Sequence, residues 1–204
     1  MPFPDFTPST PDFIRTLALR YPDNELIVYE GQRLTYREAN DRSALLARGM
    51  LAAGITKGTR VGLLMPNDPD FVVTWLAAAR IGALLVPINT FCKPGGLAFI
   101  LLHADIEVLF TCDAFLNNDY LERLEACCPA LQSHNAGGGP LFTQAFPYLR
   151  QIFVTGKNNR PWGEAMAALE EPGHAIDEAL LLATERCVVP ADPLMIIYSS
   201  GSTA

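Results

Sequence analysis

Residues 60–111 read RVGLLMPNDPDFVVTWLAAARIGALLVPINTFCKPGGLAFILLHADIEVLFT, and their alternation decides the fold class. Arg60 to Met65 is an apolar run of strand length. Asn67-Asp68-Pro69-Asp70 then opens a helix. Phe71, Val72, Trp75 and Leu76 recur at helical spacing up to about Arg80 and read as core positions. Ala83 to Pro87 is a second strand, Lys93-Pro94 opens a second helix to about His103, and Glu107 to Thr111 is a third strand. Strands alternating with helices over short links predict a parallel sheet covered on its faces. The expected fold class is α/β, with layered, mostly parallel sheets flanked by helices.

Upstream, Thr10-Pro11-Asp12 reads as a helix start with Thr10 as the cap, followed by apolar Phe13, Leu17 and Leu19. Glu25 to Glu30 reads as a strand that turns at Gly31-Gln32 into Arg33-Leu34-Thr35. Thr35-Tyr36-Arg37-Glu38 has the spacing of a capping box, in which hydroxyl and carboxylate each satisfy an exposed backbone N–H. The Ala- and Leu-rich helix behind it runs to about Ala53, and Gly54 supplies the left-handed residue that ends it. Downstream, helices are expected over Asp119 to Cys128, Trp162 to Leu169 and Asp177 to Thr184, a strand over Gln151 to Thr155, and a loop around Gly137-Gly138-Gly139. Leu194 to Tyr198 reads as a buried strand running into Ser199-Ser200-Gly201-Ser202-Thr203.

Composition narrows the function classes. Fifteen basic residues face twenty-two acidic ones across 204 residues, for a net charge of -7, and the basic residues are scattered singly. A nucleic-acid surface built on counterion release needs clustered cations, so no nucleic-acid partner is expected. Five cysteines without a C-x-x-C pair fit neither a disulfide framework nor a zinc site, and no metal site is expected. The three histidines form no metal-spaced cluster. Free thiols and the lack of a basic, apolar leader over residues 1–6 point to the cytoplasm. The most membrane-like stretch, Phe71 to Ile88, is interrupted by Arg80, Gly82 and Pro87, so a helix followed by a strand is expected there, with no transmembrane segment. No Walker loop, G-x-G-x-x-G or G-x-S-x-G occurs.

The hydroxyl-rich run is the candidate site. Gly201 lets the backbone curl without a Cβ clash, so that successive N–H groups form a nest for phosphate oxygens. Ser199, Ser200, Ser202 and Thr203 add hydroxyl donors. A Ser/Thr-rich turn or a disordered tail, either without function, is the bland alternative.

The run resembles the adenylate-forming family of acyl-CoA synthetases, firefly-type luciferases and peptide-synthetase adenylation domains. In that family a strand enters a Thr/Ser-Ser-Gly-Ser/Thr-Thr loop continued by Gly-x-Pro-Lys-Gly. Here Tyr198-Ser199-Ser200-Gly201-Ser202-Thr203 matches, Ala204 stands where glycine is usual, and the Pro-Lys-Gly half lies outside the sequence. An ordered set of further resemblances spans roughly residues 24–112. It comprises Leu34-Thr35-Tyr36-Arg37-Glu38, the turn from Gly54 to Val61, Met65-Pro66-Asn67 with the helix after it, and Val86-Pro87-Ile88-Asn89. Gly95-Gly96 departs from the acidic residues the family commonly has there.

The resemblance implies ATP-dependent activation of a small-molecule carboxylate through an acyl-adenylate, with magnesium accompanying the nucleotide and coenzyme A as the acceptor. It implies that Ser199, Ser200, Gly201, Ser202 and Thr203 hold the ATP phosphates. Asn89, Thr90 and Phe91, which follow a strand end where ligands bind in open α/β sheets, would lie near the CoA nucleotide. It also implies that residues 1–204 are a truncated N-terminal part of the large adenylation domain, ending inside the phosphate loop. The small C-terminal domain and its catalytic lysine would then be absent, so no catalytic residue is assigned and the chain alone is expected to be inactive. An aliphatic, aromatic or steroid-like acid fits equally. A non-catalytic α/β remnant or binding module is the competing reading.

Overall fold

The computed structural model describes residues 6–157 and 159–199. In chain order its elements begin with α1 (Thr10–Arg20), β1 (Glu25–Tyr29), β2 (Gln32–Thr35), α2 (Tyr36–Ala52), β3 (Arg60–Leu64), α3 (Pro69–Arg80), β4 (Leu84–Pro87) and α4 (Pro94–His103). Then follow β5 (Val108–Cys112), β6 (Ala114–Phe115), β7 (Asn118–Asp119), α5 (Tyr120–Cys127), β8 (Gln151–Thr155), β9 (Glu164–Ala165), α6 (Glu170–Ala175) and α7 (Glu178–Arg186). The described residues fall into two compact units. One takes segments from Met1–Gly58, Asn67–Leu84 and Ala168–Leu194, the other from Thr59–Pro66, Leu85–Ala167 and Met195–Ala204.

The first unit is helical, with a β1–β2 hairpin. The hairpin pairs Val28 with Arg33 and Tyr29 with Gln32, and turns at Glu30 and Gly31, both with positive φ. That conformation matches the twist of the strands it joins. The turn therefore sits one residue earlier than expected. The capping box forms in full: Glu38 N–H donates to Thr35 Oγ1 at 3.2 Å and Thr35 N–H to Glu38 Oε2 at 2.8 Å. These bonds favour the carboxylate and hold the Glu38 pKa below its ordinary value. Gly54 follows the end of α2 with φ 82°. α3 is capped by Asp68, whose Oδ1 accepts from Phe71 N–H at 2.8 Å. At α1 the expectation fails by one position. Ser9 is the N-cap and Thr10 already lies in the helix; Ile14 carries the burial, and Phe13 and Leu19 are exposed. The face was misread because Pro11 and Ile14, three apart, set the inward stripe.

The second unit is built on a five-stranded sheet in the order β4-β3-β5-β8-β9. β3 pairs parallel to β5 (Val61 with Val108) and β5 parallel to β8 (Val108 with Gln151). Every residue of β5 is buried, as a central parallel strand requires, and the Phe110 and Phe153 rings stack at 5.1 Å. α4 and α5 pack on one another, and Asp119 caps α5 through Glu122 N–H at 2.8 Å.

Two expectations in this part of the chain fail. Trp162 to Leu169 is not one helix: Glu164–Ala165 joins the sheet as β9, parallel to Phe153 and Val154, and Met166–Leu169 forms a single 3-10 turn. Trp162 is buried and donates from Nε1 to Glu125 Oε1 at 3.0 Å, so tertiary pairing overrides local helix propensity. Leu194 to Tyr198 is not a buried strand either. It makes one parallel bridge, Met195 to Leu85, with Ile196 N–H donating to Leu85 O at 2.8 Å, and Ile197 is exposed. β4 is an edge strand, and among the described residues nothing pairs on the outer side of this segment.

No described helix is long and apolar enough to cross a membrane. The stretch from Phe71 to Ile88 divides, as expected, into α3 and β4.

Candidate functional site

Two chain segments run in the same direction at the edge of the parallel sheet. β4 leads into Asn89, Thr90 and Phe91, and the Met195 bridge, parallel to it, leads into Tyr198 and Ser199. In open α/β sheets, ligands bind where parallel strands end.

The turn after β4 is held on both sides. Asn89 O accepts from Cys92 N–H at 2.9 Å and Asn89 Oδ1 accepts from Phe91 N–H at 2.9 Å, an Asx-type closure. From α5, Tyr120 OH donates to Thr90 O at 3.0 Å. Arg123 Nη1 donates to Cys92 O at 2.8 Å and to Thr90 O at 3.3 Å, while its Nη2 donates to Asn118 Oδ1. One guanidinium thus ties the turn to the α5 cap region. The Thr90 carbonyl is taken up by this support, whereas Phe91 is 66% exposed. Sequence reasoning missed Arg123 and Tyr120, because both lie in a stretch whose pattern says only that it is helical.

Tyr198, just before the hydroxyl run, packs on α4. His103 Nδ1 and Tyr198 OH lie 2.7 Å apart. The Phe99 and His103 rings stack at 4.9 Å, and Tyr198 stands edge-on to both, at 6.1 and 5.8 Å. Burial, with the charge of Asp105 nearby, raises the Tyr198 pKa above its ordinary value. Of the expected phosphate loop only Ser199 is described; Ser200, Gly201, Ser202 and Thr203 lie outside the described residues. Among the described residues, no hydrogen bond joins Ser199 to Asn89, Thr90 or Phe91.

The thiols near the turn are unsuited to nucleophilic work. Burial raises Cys92 above its ordinary value and pushes Cys127 up to about 11, so both stay protonated at neutral pH. The donors of Tyr198 to Thr203 are neutral hydroxyls and backbone N–H groups, chemistry that suits phosphate oxygens.

The family model described as AMP-binding enzyme matches residues 14–204. The acyl-CoA ligase SID4 of Ajellomyces capsulatus is 38% identical over 188 residues, covering 91% of this chain and 30% of its own length. The medium-chain acyl-CoA ligase ACSF2 of Danio rerio, named as mitochondrial, is 28% identical over 186 residues, covering 90% of this chain and 30% of its own. The chain thus spans about a third of the length of the curated relatives it matches. Among solved structures, the anthranilate CoA ligase AuaEII in complex with anthranoyl-AMP superposes with a TM-score of 0.74 at 20% identity, over 97% of this chain and 33% of that one. A long-chain-fatty-acid-CoA ligase (FadD1) from Archaeoglobus fulgidus gives 0.70 at 22% identity, over 100% of this chain and 36% of that one. At such identity these two speak for the fold alone. With the family model matched from residue 14 to residue 204, the chain belongs to the AMP-binding enzyme family, and the two curated relatives named here are acyl-CoA ligases.

Proposed function

We propose that this chain is the N-terminal part of the large adenylation domain of an ATP-dependent acid–thiol ligase. In the complete enzyme a carboxylate oxygen attacks the α-phosphorus of ATP and pyrophosphate leaves; the thiol of coenzyme A then takes the acyl group from the adenylate, and AMP leaves. The observation that carries this reading is the parallel Met195–Leu85 bridge, which sends the chain toward Ser199 in the same direction as β4. It supports a phosphate loop of Ser199, Ser200, Gly201, Ser202 and Thr203 at a sheet edge. Such a loop works by positioning and by neutral donors, so the charge of the nucleotide is met by its magnesium ion and by groups beyond residue 204.

Because those groups lie outside the chain, residues 1–204 alone do not catalyse adenylation. Charge-assisted hydrogen bonds are worth about 1.5–3 kcal/mol each, and lacking several weakens ATP binding by orders of magnitude. Carboxylate-dependent ATP–pyrophosphate exchange should therefore stay at background with the purified 204-residue chain. Robust exchange would overturn this part of the proposal.

For the acceptor, Phe91 is the contact we assign to CoA, with Asn89 and Thr90 shaping the turn beneath it. Stacking of a base on an aromatic ring is worth about 1–3 kcal/mol. Phe91→Ala in the complete enzyme is thus expected to raise the KM for CoA roughly tenfold. Pyrophosphate exchange, which needs no CoA, should be unchanged. Equal losses in both assays would show that the turn serves the fold or the adenylation step instead.

The span of about a third of its relatives leaves a second reading, a non-catalytic α/β binding module. The coding sequence after codon 204 separates the two: continuation through Pro-Lys-Gly favours the ligase, a stop codon the module. For location, the ACSF2 relative is named as mitochondrial, which competes with the cytoplasmic expectation. Fractionation of cells expressing the tagged protein decides between them.

A further inference from the structure

We infer that His103 and Tyr198 form a positioning clamp that fixes the backbone entering the phosphate loop. The inference rests on the reading of Ser199 to Thr203 as that loop. Phe99 and His103 lie on one face of α4, four residues apart, and their rings stack at 4.9 Å. Tyr198 stands against both at 84° and 75°, an edge-to-face arrangement in which ring quadrupoles attract. Its hydroxyl sits 2.7 Å from His103 Nδ1. Three contacts on one side chain fix both where the ring lies and how it is turned.

The clamp occupies a place that otherwise has little support. Behind Tyr198 the segment is tied to the sheet by one bridge at Met195, and Ile197 is 72% exposed. Tyr198 is therefore the last described anchor before the hydroxyl run begins at Ser199. Phosphate binding by neutral donors depends on their prior arrangement, because no charge compensates for a misplaced N–H. A side chain that orients the loop without touching phosphate thus influences affinity through geometry. Nothing in the local sequence marks His103 for this: it reads as the end of a helix, 95 residues from its partner.

A double-mutant cycle tests the clamp on the 204-residue chain. Tyr198→Phe keeps the ring and removes the hydroxyl; His103→Phe keeps the stacking and removes the ring nitrogen. Each single variant is expected to speed amide hydrogen exchange at Ile196, whose N–H is bonded to Leu85 O, about fivefold, the worth of one hydrogen bond. The double variant should exchange no faster than either single. His103→Gln, whose side-chain oxygen can accept from the phenol, should recover most of the protection. Magnesium tripolyphosphate, titrated into the millimolar range, is expected to bind the single variants about fivefold more weakly than the parent chain.

The outcomes separate the clamp from the reading beneath it. Multiplying effects on exchange, or none, overturn the clamp whatever the phosphate result. Coupled exchange with equal tripolyphosphate affinity in all variants overturns the positioning role. A parent chain that binds no tripolyphosphate overturns the phosphate reading and the positioning role together.

Discussion

Glu185→Ala is expected to lower the midpoint of thermal unfolding by roughly 10 °C, from a loss of about 3–5 kcal/mol. Arg80, at the end of α3, has no exposed side-chain surface, and Glu185, in α7, is 5% exposed. Arg80 Nη1 donates to Glu185 Oε1 at 2.6 Å, its Nε to Ser43 Oγ at 3.1 Å, and its Nη2 to the backbone and side-chain oxygens of Asn40. The other carboxylate oxygen, Glu185 Oε2, accepts from Arg15 Nε at 2.5 Å. One carboxylate therefore serves two guanidinium groups drawn from α1 and α3.

Burial pulls the Arg80 pKa down, and the charge of Glu185 opposes that pull without cancelling it. Removing the carboxylate leaves the guanidinium buried with its strongest partner gone, which is the costly way to break such a pair. Arg15, 27% exposed, can turn to water and adds little to the loss. Replacing both partners by apolar residues of similar length removes the charge along with its desolvation cost. Arg80→Met combined with Glu185→Leu should accordingly melt well above Glu185→Ala alone. A Glu185→Ala chain that melts within a degree or two of the parent would show that water reaches Arg80 and that the pair is ornamental. Far-ultraviolet circular dichroism on heating reads both results.

This pair also marks the limit of what the sequence discloses. Local signals were legible wherever one turn of chain carries its own instructions. Thr35 and Glu38 cap α2, Asp68 and Pro69 open α3, and Gly54 and Gly58 take positive φ where a turn was expected. The strands β3, β4 and β5 were legible because burial on both faces leaves an unbroken apolar run. Arg80 was noticed only as an interruption of an apolar stretch; its partner lies 105 residues away, and no spacing rule connects them. Trp162 to Leu169 misled for the same reason, since the pairing of Glu164 with Phe153 is a property of the sheet. At the candidate site, Asn89 to Phe91 were legible as the residues after a strand end, and they do follow β4. The contacts of Arg123 with Cys92 and of His103 with Tyr198 were not legible, because each joins segments that do not neighbour one another in sequence.

Gly49 is a further contact that local reasoning inverts, and it carries the second large effect. It lies inside α2, where alanine is the better helix former by about 1 kcal/mol, so propensity alone predicts that Gly49→Ala stabilises. Packing predicts the opposite. A Cβ at this position would lie 2.3 Å from the backbone oxygen of Leu169 and 2.9 Å from the Leu169 Cβ. The neighbouring contact is equally close: a Cβ on Gly173 would lie 2.8 Å from Leu45 O and 3.0 Å from Gly49 N. The two glycines let α2 and the 169–173 segment meet backbone to backbone, and a main-chain carbonyl cannot swing aside as a flexible side chain can. Overpacking of this kind costs about 1–3 kcal/mol, and an immovable partner puts it at the upper end. The net expectation for Gly49→Ala is a loss of about 2 kcal/mol, a fall of roughly 6 °C in the unfolding midpoint. The internal control is Gly95→Ala in the first turn of α4, where a Cβ meets nothing within 4 Å. There the propensity term stands alone, and a gain of up to about 1 kcal/mol is expected. The same substitution in two helices should thus move stability in opposite directions; equal shifts would mean that α2 and the 169–173 segment separate freely and that their close approach does not hold the unit together.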